Sequence, residues 1–123
     1  MQISPIKKIL LLDDDRIQKI LTEKRLLKIN SGTEFVYFDT PSKALEYLKT
    51  AHVDLLLVDL NLPEMSGWDF VDEVEKVSPE SRIILQSGSV DREEFERANA
   101  DKRISEIFEK PLSDSDLRSI LGL

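Results

Sequence analysis

Ile9-Leu10-Leu11-Leu12-Asp13-Asp14-Asp15 sets four apolar residues directly against three carboxylates. An unbroken apolar run of that kind reads as a strand covered on both faces, as in a parallel sheet. The pattern that follows is helical, with Ile17, Ile20, Leu21 and Leu27 along one expected face. Asn30-Ser31-Gly32 stops it. The opening of the chain is therefore a strand, an acidic turn and a helix.

The same unit recurs outward from there. Residues 35–38 are aromatic and β-branched and read as a second strand. Thr40-Pro41 reads as an N-cap and a proline at the first helical position, before an apolar face of Ala44, Leu45 and Leu48. Residues 53–58 form the most apolar strand, which places it centrally. Ser66-Gly67-Trp68-Asp69 has capping-box spacing, and Val71, Val74 and Val77 carry that helix to Ser78-Pro79. Residues 82–86 hold a fourth strand centred on Ile83, Ile84 and Leu85. Asp91 with Glu94 starts a fourth helix whose apolar face, Phe95, Ala98 and Ala100, is thin. Residues 104–108 are a fifth strand, and Ser113-x-x-Asp116 opens a last helix bearing Leu117, Ile120 and Leu121. Five such units predict one doubly wound α/β domain over residues 1–123, a parallel sheet between two helical layers.

Composition bounds the function. Apolar residues make up 41% and charged residues 33% of 123, which is ordinary for a globular protein. Cysteine is absent, so disulfides, thiolate metal sites and cysteine nucleophiles are excluded. The net charge of −7 opposes non-specific binding to nucleic acid or an anionic membrane. No apolar run approaches bilayer length, and residues 1–8 lack the pattern of a signal peptide. A cytoplasmic location is the expectation. The sequence stops just after the last helix, so a stand-alone domain is expected too.

Doubly wound sheets bind ligands at the carboxyl ends of their strands. Those ends carry Asp13-Asp14-Asp15, Asp59, Ser87-Gly88 and Lys110-Pro111. Convergent carboxylates repel one another and call for a cation. Oxygen-only ligands point to a hard one, and Mg²⁺ suits one or two carboxylates completed by water and phosphate oxygens. A carboxylate beside such an ion is a plausible phosphoryl acceptor, with an ammonium and a hydroxyl to stabilise the transferring oxygens.

These residues, in this order, resemble the receiver domains of two-component response regulators. The acidic opening is similar to theirs, as are Val58-Asp59-Leu60-Asn61-Leu62-Pro63-Glu64-Met65-Ser66-Gly67, Ser87-Gly88 and Lys110-Pro111. The resemblance covers essentially the whole chain and implies a flavodoxin-like sheet in the order 2-1-3-4-5. It implies Asp59 as the phosphorylated residue and Asp13, Asp14 and the Asn61 backbone carbonyl, with Asp59, around Mg²⁺. Ser87 would hydrogen-bond a phosphoryl oxygen and Lys110 would pair with its charge. Asn61 and Ser89 would tune the access of water to the acyl phosphate. The phosphoryl donor would be a sensor histidine kinase or a phosphotransfer protein, and output would go through protein contacts or onward phosphotransfer. The Lys110-Pro111 bond is typically cis in the family.

The chain departs from the family pattern in four places. Asp15 is a third carboxylate; strand length assigns the metal pair to Asp13 and Asp14 and leaves Asp15 at the helix start, where negative charge is favourable. Gly88 follows Ser87 and loosens that loop, and Pro41 stands where glycine is common. Ile107 occupies the position of an aromatic switch residue, with Phe108 pointing to the other face of the sheet.

Plainer readings exist for each residue taken alone. Acidic residues cap helices, Asp59 with Asn61 could shape a turn, and Ser87 and Lys110 could be ordinary surface groups. His52 reads as a surface residue, Trp68 and Phe70 as packing residues, and Lys19, Lys24, Arg25 and Lys28 as a solvated helix face that could alternatively dock a kinase. Two other functions stay open at this point. Asp13 and Asp15 have the spacing of an aspartyl-nucleophile phosphatase, and a degenerate receiver would bind partners without phosphorylation.

Overall fold

The computed structural model describes residues 4–123; positions 1–3, part of the stretch weighed above for a leader, lie outside the described residues. The chain runs β1 (Lys8–Leu12), α1 (Arg16–Ile29), β2 (Glu34–Phe38), α2 (Pro41–Leu48), β3 (Leu55–Asp59), α3 (Gly67–Val77), β4 (Arg82–Ser87), α4 (Arg92–Ala100), β5 (Ile104–Glu109) and α5 (Asp114–Leu121). The five strands form one sheet in the order β2-β1-β3-β4-β5, every pair parallel. This is a doubly wound flavodoxin-like fold, as expected. Among the described residues no helix is long and apolar enough to cross a membrane.

Alternation along the strands divides the core. Leu10, Leu12, Leu56, Val58 and Leu85 face α2, α3 and α4, packing with Ala44, Phe70, Val71 and Ala98. Ile9, Leu11, Leu55, Leu57 and Ile84 face α1 and α5, packing with Leu26, Leu117, Ile120 and Leu121. Both faces of β1 and β3 are covered, which is why those two strands read as continuous apolar runs. The order of connection reverses between β1 and β3, so their carboxyl ends flank the crevice where such sheets bind ligands.

Three local expectations are corrected. Helix α1 buries Thr22 and Leu26, while Ile17, Ile20, Leu21 and Leu27 are exposed, Ile17 at 68%. Residues 22, 26 and 29 make one helical stripe, and 17, 20, 24 and 27 make another on the opposite side. Packing chose the first, because Leu26 and Ile29 reach the α1/α5 core. On α4, Phe95 and Ala100 are exposed and only Ala98 is buried, so the thin apolar face is thinner still. Thr40 holds the N-cap position of α2 but makes no side-chain cap bond. Glu64 does that work from the β3–α3 loop, accepting from Ser42 N–H and Ser42 Oγ at 3.0 Å each.

The other helix starts behave as read. Ser66 accepts from Asp69 N–H, Asp91 accepts from Glu94 N–H, and Ser113 and Asp116 form a full capping box. Gly67 has a stricter role. A Cβ there would lie 2.8 Å from the Asp59 carbonyl oxygen and 2.9 Å from Leu60 Cα. Only glycine lets α3 start against the end of β3. Gly67→Ala should therefore lose about 1–3 kcal/mol, the usual cost of overpacking. Chemical denaturation checks this; an unchanged midpoint would show that the loop yields freely.

Candidate functional site

Three carboxylates meet at the carboxyl edge of the sheet. Oxygen atoms of Asp13, Asp14 and Asp59 all lie within 4.8 Å of one another. Asp13 is fully buried, Asp59 nearly so, and Asp14 is exposed. Tyr37 fixes the main chain at this edge, its hydroxyl donating to the Asp13 carbonyl at 2.7 Å. The Asp13 N–H bonds the Phe38 carbonyl, so β2 holds the acidic turn from two directions.

Lys110 closes the cluster. Its Nζ donates to Asp13 Oδ2 at 2.7 Å and to Asp59 Oδ2 at 2.8 Å. The Lys110 N–H donates to the Ser87 carbonyl at 2.8 Å, and the Lys110-Pro111 peptide is cis. Burial alone would push the lysine down, but its bonds to Asp13 and Asp59 outweigh this and hold it above the ordinary value. Burial pushes the Asp13 carboxyl up, opposed by the bond from Lys110 and by the Asp15 N–H. One ammonium thus offsets the repulsion of two buried carboxylates, at a desolvation cost that good geometry repays.

The remaining residues divide by geometry. Asn61 N–H donates to Asp59 Oδ1 at 3.0 Å, which leaves Asp59 Oδ2 toward Lys110. Asp15 is the N-cap of α1, its Oδ1 accepting from Ile17 and Gln18 N–H, as its position in the acidic triplet implied. The Ser87 hydroxyl donates to the Ser89 carbonyl at 3.0 Å, within its own turn. Asn61, Gly88 and Ser89 are exposed at the rim, and no atom lies within 4 Å of a Cβ built on Gly88. Ile107 is buried against the α2/α3/α4 layer and Phe108 packs in the other, so the two do face opposite ways. His52 lies away from this cluster, paired with Asp54 at 3.0 Å.

Sequence reasoning missed two contributors. By pattern Tyr37 is only a β-forming residue. By pattern Gln86 only ends the fourth strand, yet it is 2% exposed and its Nε2 approaches Asp13 Oδ2 at 3.5 Å. The available signal was a polar residue at an inward position of a strand buried on both faces.

Chemically, the arrangement offers oxygen donors from two carboxylate-bearing strand ends, one ammonium and one nearby hydroxyl. That donor set fits a small hard cation and a phosphoryl group. It has no thiolate or imidazole for a softer metal.

The comparisons agree with this geometry. The profile of the response regulator receiver domain matches residues 9–122. The autoinducer 1 sensor kinase/phosphatase LuxN of Vibrio campbellii is 31% identical over 114 residues, which is 93% of this chain and 13% of that protein. The response regulator receiver protein CpdR of Brucella abortus is 31% identical over 83 residues, 68% of each chain. The chain thus spans only a small part of the sensor kinase. A CheY-like receiver domain from Methanospirillum hungatei has a TM-score of 0.81 at 25% identity, covering 95% of this chain and 91% of that one. A two-component response regulator from Cytophaga hutchinsonii, at 23% identity, shares the fold with a TM-score of 0.85 over 95% of both chains. With the acidic cluster at the β1/β3 switch point, this chain belongs to the response regulator receiver domain family.

Proposed function

We propose that residues 1–123 act as one receiver unit that takes a phosphoryl group onto Asp59 and, in doing so, changes its contacts with partner proteins. The observation that carries this reading is the meeting of Asp13, Asp14 and Asp59 within 4.8 Å, with Lys110 bridging Asp13 and Asp59. Asp59 Oδ2 attacks the phosphorus of a phosphohistidine; the P–O bond forms as the P–N bond breaks, and the imidazole nitrogen takes up a proton. Lys110 follows the charge from the carboxylate to the phosphoryl oxygens, and the Ser87 hydroxyl turns from Ser89 toward one of them. Asp13, Asp14, Asp59 and the Asn61 carbonyl would hold Mg²⁺, which when bound neutralises charge on the transferring oxygens. Asn61 and Ser89, small and exposed, leave the acyl phosphate open to water, so its lifetime is short.

The phosphatase alternative needs Asp15 as a second working carboxylate, but Asp15 is committed to capping α1. A cytoplasmic place without direct nucleic-acid contact is the setting we propose, in keeping with the charge of −7. Incubation with acetyl phosphate, with and without Mg²⁺, tests the reading by intact mass. A labile single adduct that needs Mg²⁺ is expected; none at all, or steady turnover of an aryl phosphate, would overturn it.

The exposed stripe Ile17, Ile20 and Leu27, with Leu21 at its edge, on the helix that starts from the acidic turn, is the docking surface we assign to the histidine kinase or phosphotransfer protein. Ile20→Glu should slow transfer from such a protein by about tenfold or more, the cost of a central interface residue. Uptake from acetyl phosphate should be unchanged. Equal loss from both donors would mean that the helix serves the site itself. On the opposite flank, a groove of about 470 Å³ between α4 and β5, lined by Val90, Phe95 and Ile107, is the proposed output side. Ile107 has no aromatic ring to carry the change, so sparse α4 and the Gly88 loop would move instead.

A further inference from the structure

Gln86 pairs in register with Asp59 on one side and Phe108 on the other. By alternation along β4 its side chain lies on the α1/α5 face, in line with Ile84, in the layer that also holds Leu57 and Leu117. A primary amide in that layer costs desolvation unless it is bonded. Its bond to Asp13 Oδ2 is long, 3.5 Å, while Lys110 Nζ holds the same oxygen at 2.7 Å. The other Asp13 oxygen is taken by the Asp15 N–H at 2.9 Å.

Phosphorylation of Asp59 would change this competition. The esterified Asp59 oxygen loses its full charge, and the new phosphoryl group brings close to two negative charges that draw the ammonium away. Asp13, fully buried, would then lose the strong donor on Oδ2. We propose that Gln86 is a positioning residue that takes over Asp13 Oδ2 as Lys110 moves to the phosphoryl group, keeping the Asp13 carboxylate aimed at the cation. The inference rests on the reading of Asp59 as the acceptor.

Calorimetric titration of Mg²⁺ into wild type, Gln86→Leu and Gln86→Met, without and with beryllofluoride as the stand-in for the phosphoryl group, tests it. Both variants should bind Mg²⁺ alone within about threefold of wild type, because Lys110 still holds Asp13, but about tenfold more weakly than wild type with beryllofluoride, the low end for losing a metal ligand's supporting partner. Their melting temperatures should be equal to wild type or higher, since apolar side chains suit this layer; Gln86→Met keeps the length if Gln86→Leu packs badly. Equal affinities in wild type and variants, or an equal loss with and without beryllofluoride, would overturn the role of Gln86 alone. A wild type that takes up no beryllofluoride would overturn the reading of Asp59 and this inference together.

Discussion

Asp59→Asn should take up no phosphoryl group from acetyl phosphate and Mg²⁺, whereas Asp15→Asn should keep most of the wild-type uptake. The first change removes the nucleophile while keeping its shape, because an amide oxygen can still accept the Asn61 N–H at the same place. The second changes a residue that only caps α1, and asparagine caps about as well as aspartate. Radiolabelled or intact-mass uptake reads both. Equal loss in the two variants would return Asp15 to the working set and reopen the spacing argument for a phosphatase.

A second large effect is expected at Lys110. In the metal-free protein its ammonium offsets two nearly buried carboxylates, Asp13 and Asp59. Lys110→Met removes the cation and keeps most of the stem, leaving Asp13 and Asp59 face to face. Breaking a buried ion pair by deleting one partner typically costs about 3–5 kcal/mol, so the metal-free variant should melt well below wild type. Mg²⁺ supplies the missing positive charge, so the rise in melting temperature on its addition should exceed that of wild type. Phosphoryl uptake should fall as well, since no ammonium follows the charge. A variant that melts like wild type without metal would mean that Asp13 and Asp59 do not need the bridge.

Much of this was legible in the residues. Residues 9–12 and 55–58 are apolar without alternation because both faces of β1 and β3 are covered, and that property, repeated with helical stretches between, points to a parallel sheet. Asp13, Asp59, Ser87 and Lys110 could be placed together because parallel strands end on one edge. Helix α1 was misread for a physical reason: it carries apolar residues on two opposite stripes, and periodicity cannot say which one meets the sheet. The Glu64 cap on α2 was out of reach because its partner, Ser42, is 22 residues away in the chain. Gln86 was passed over because its meaning depends on Asp13, which only the fold brings beside it.

Borohydride reduction of the freshly phosphorylated protein, followed by peptide mapping, tests the central claim most directly, because the reagent converts an aspartyl phosphate into homoserine where it stands. The account predicts homoserine at residue 59, only after treatment with phosphoryl donor and Mg²⁺. Homoserine at residue 13, 14 or 15, or an adduct that borohydride leaves untouched, would contradict it.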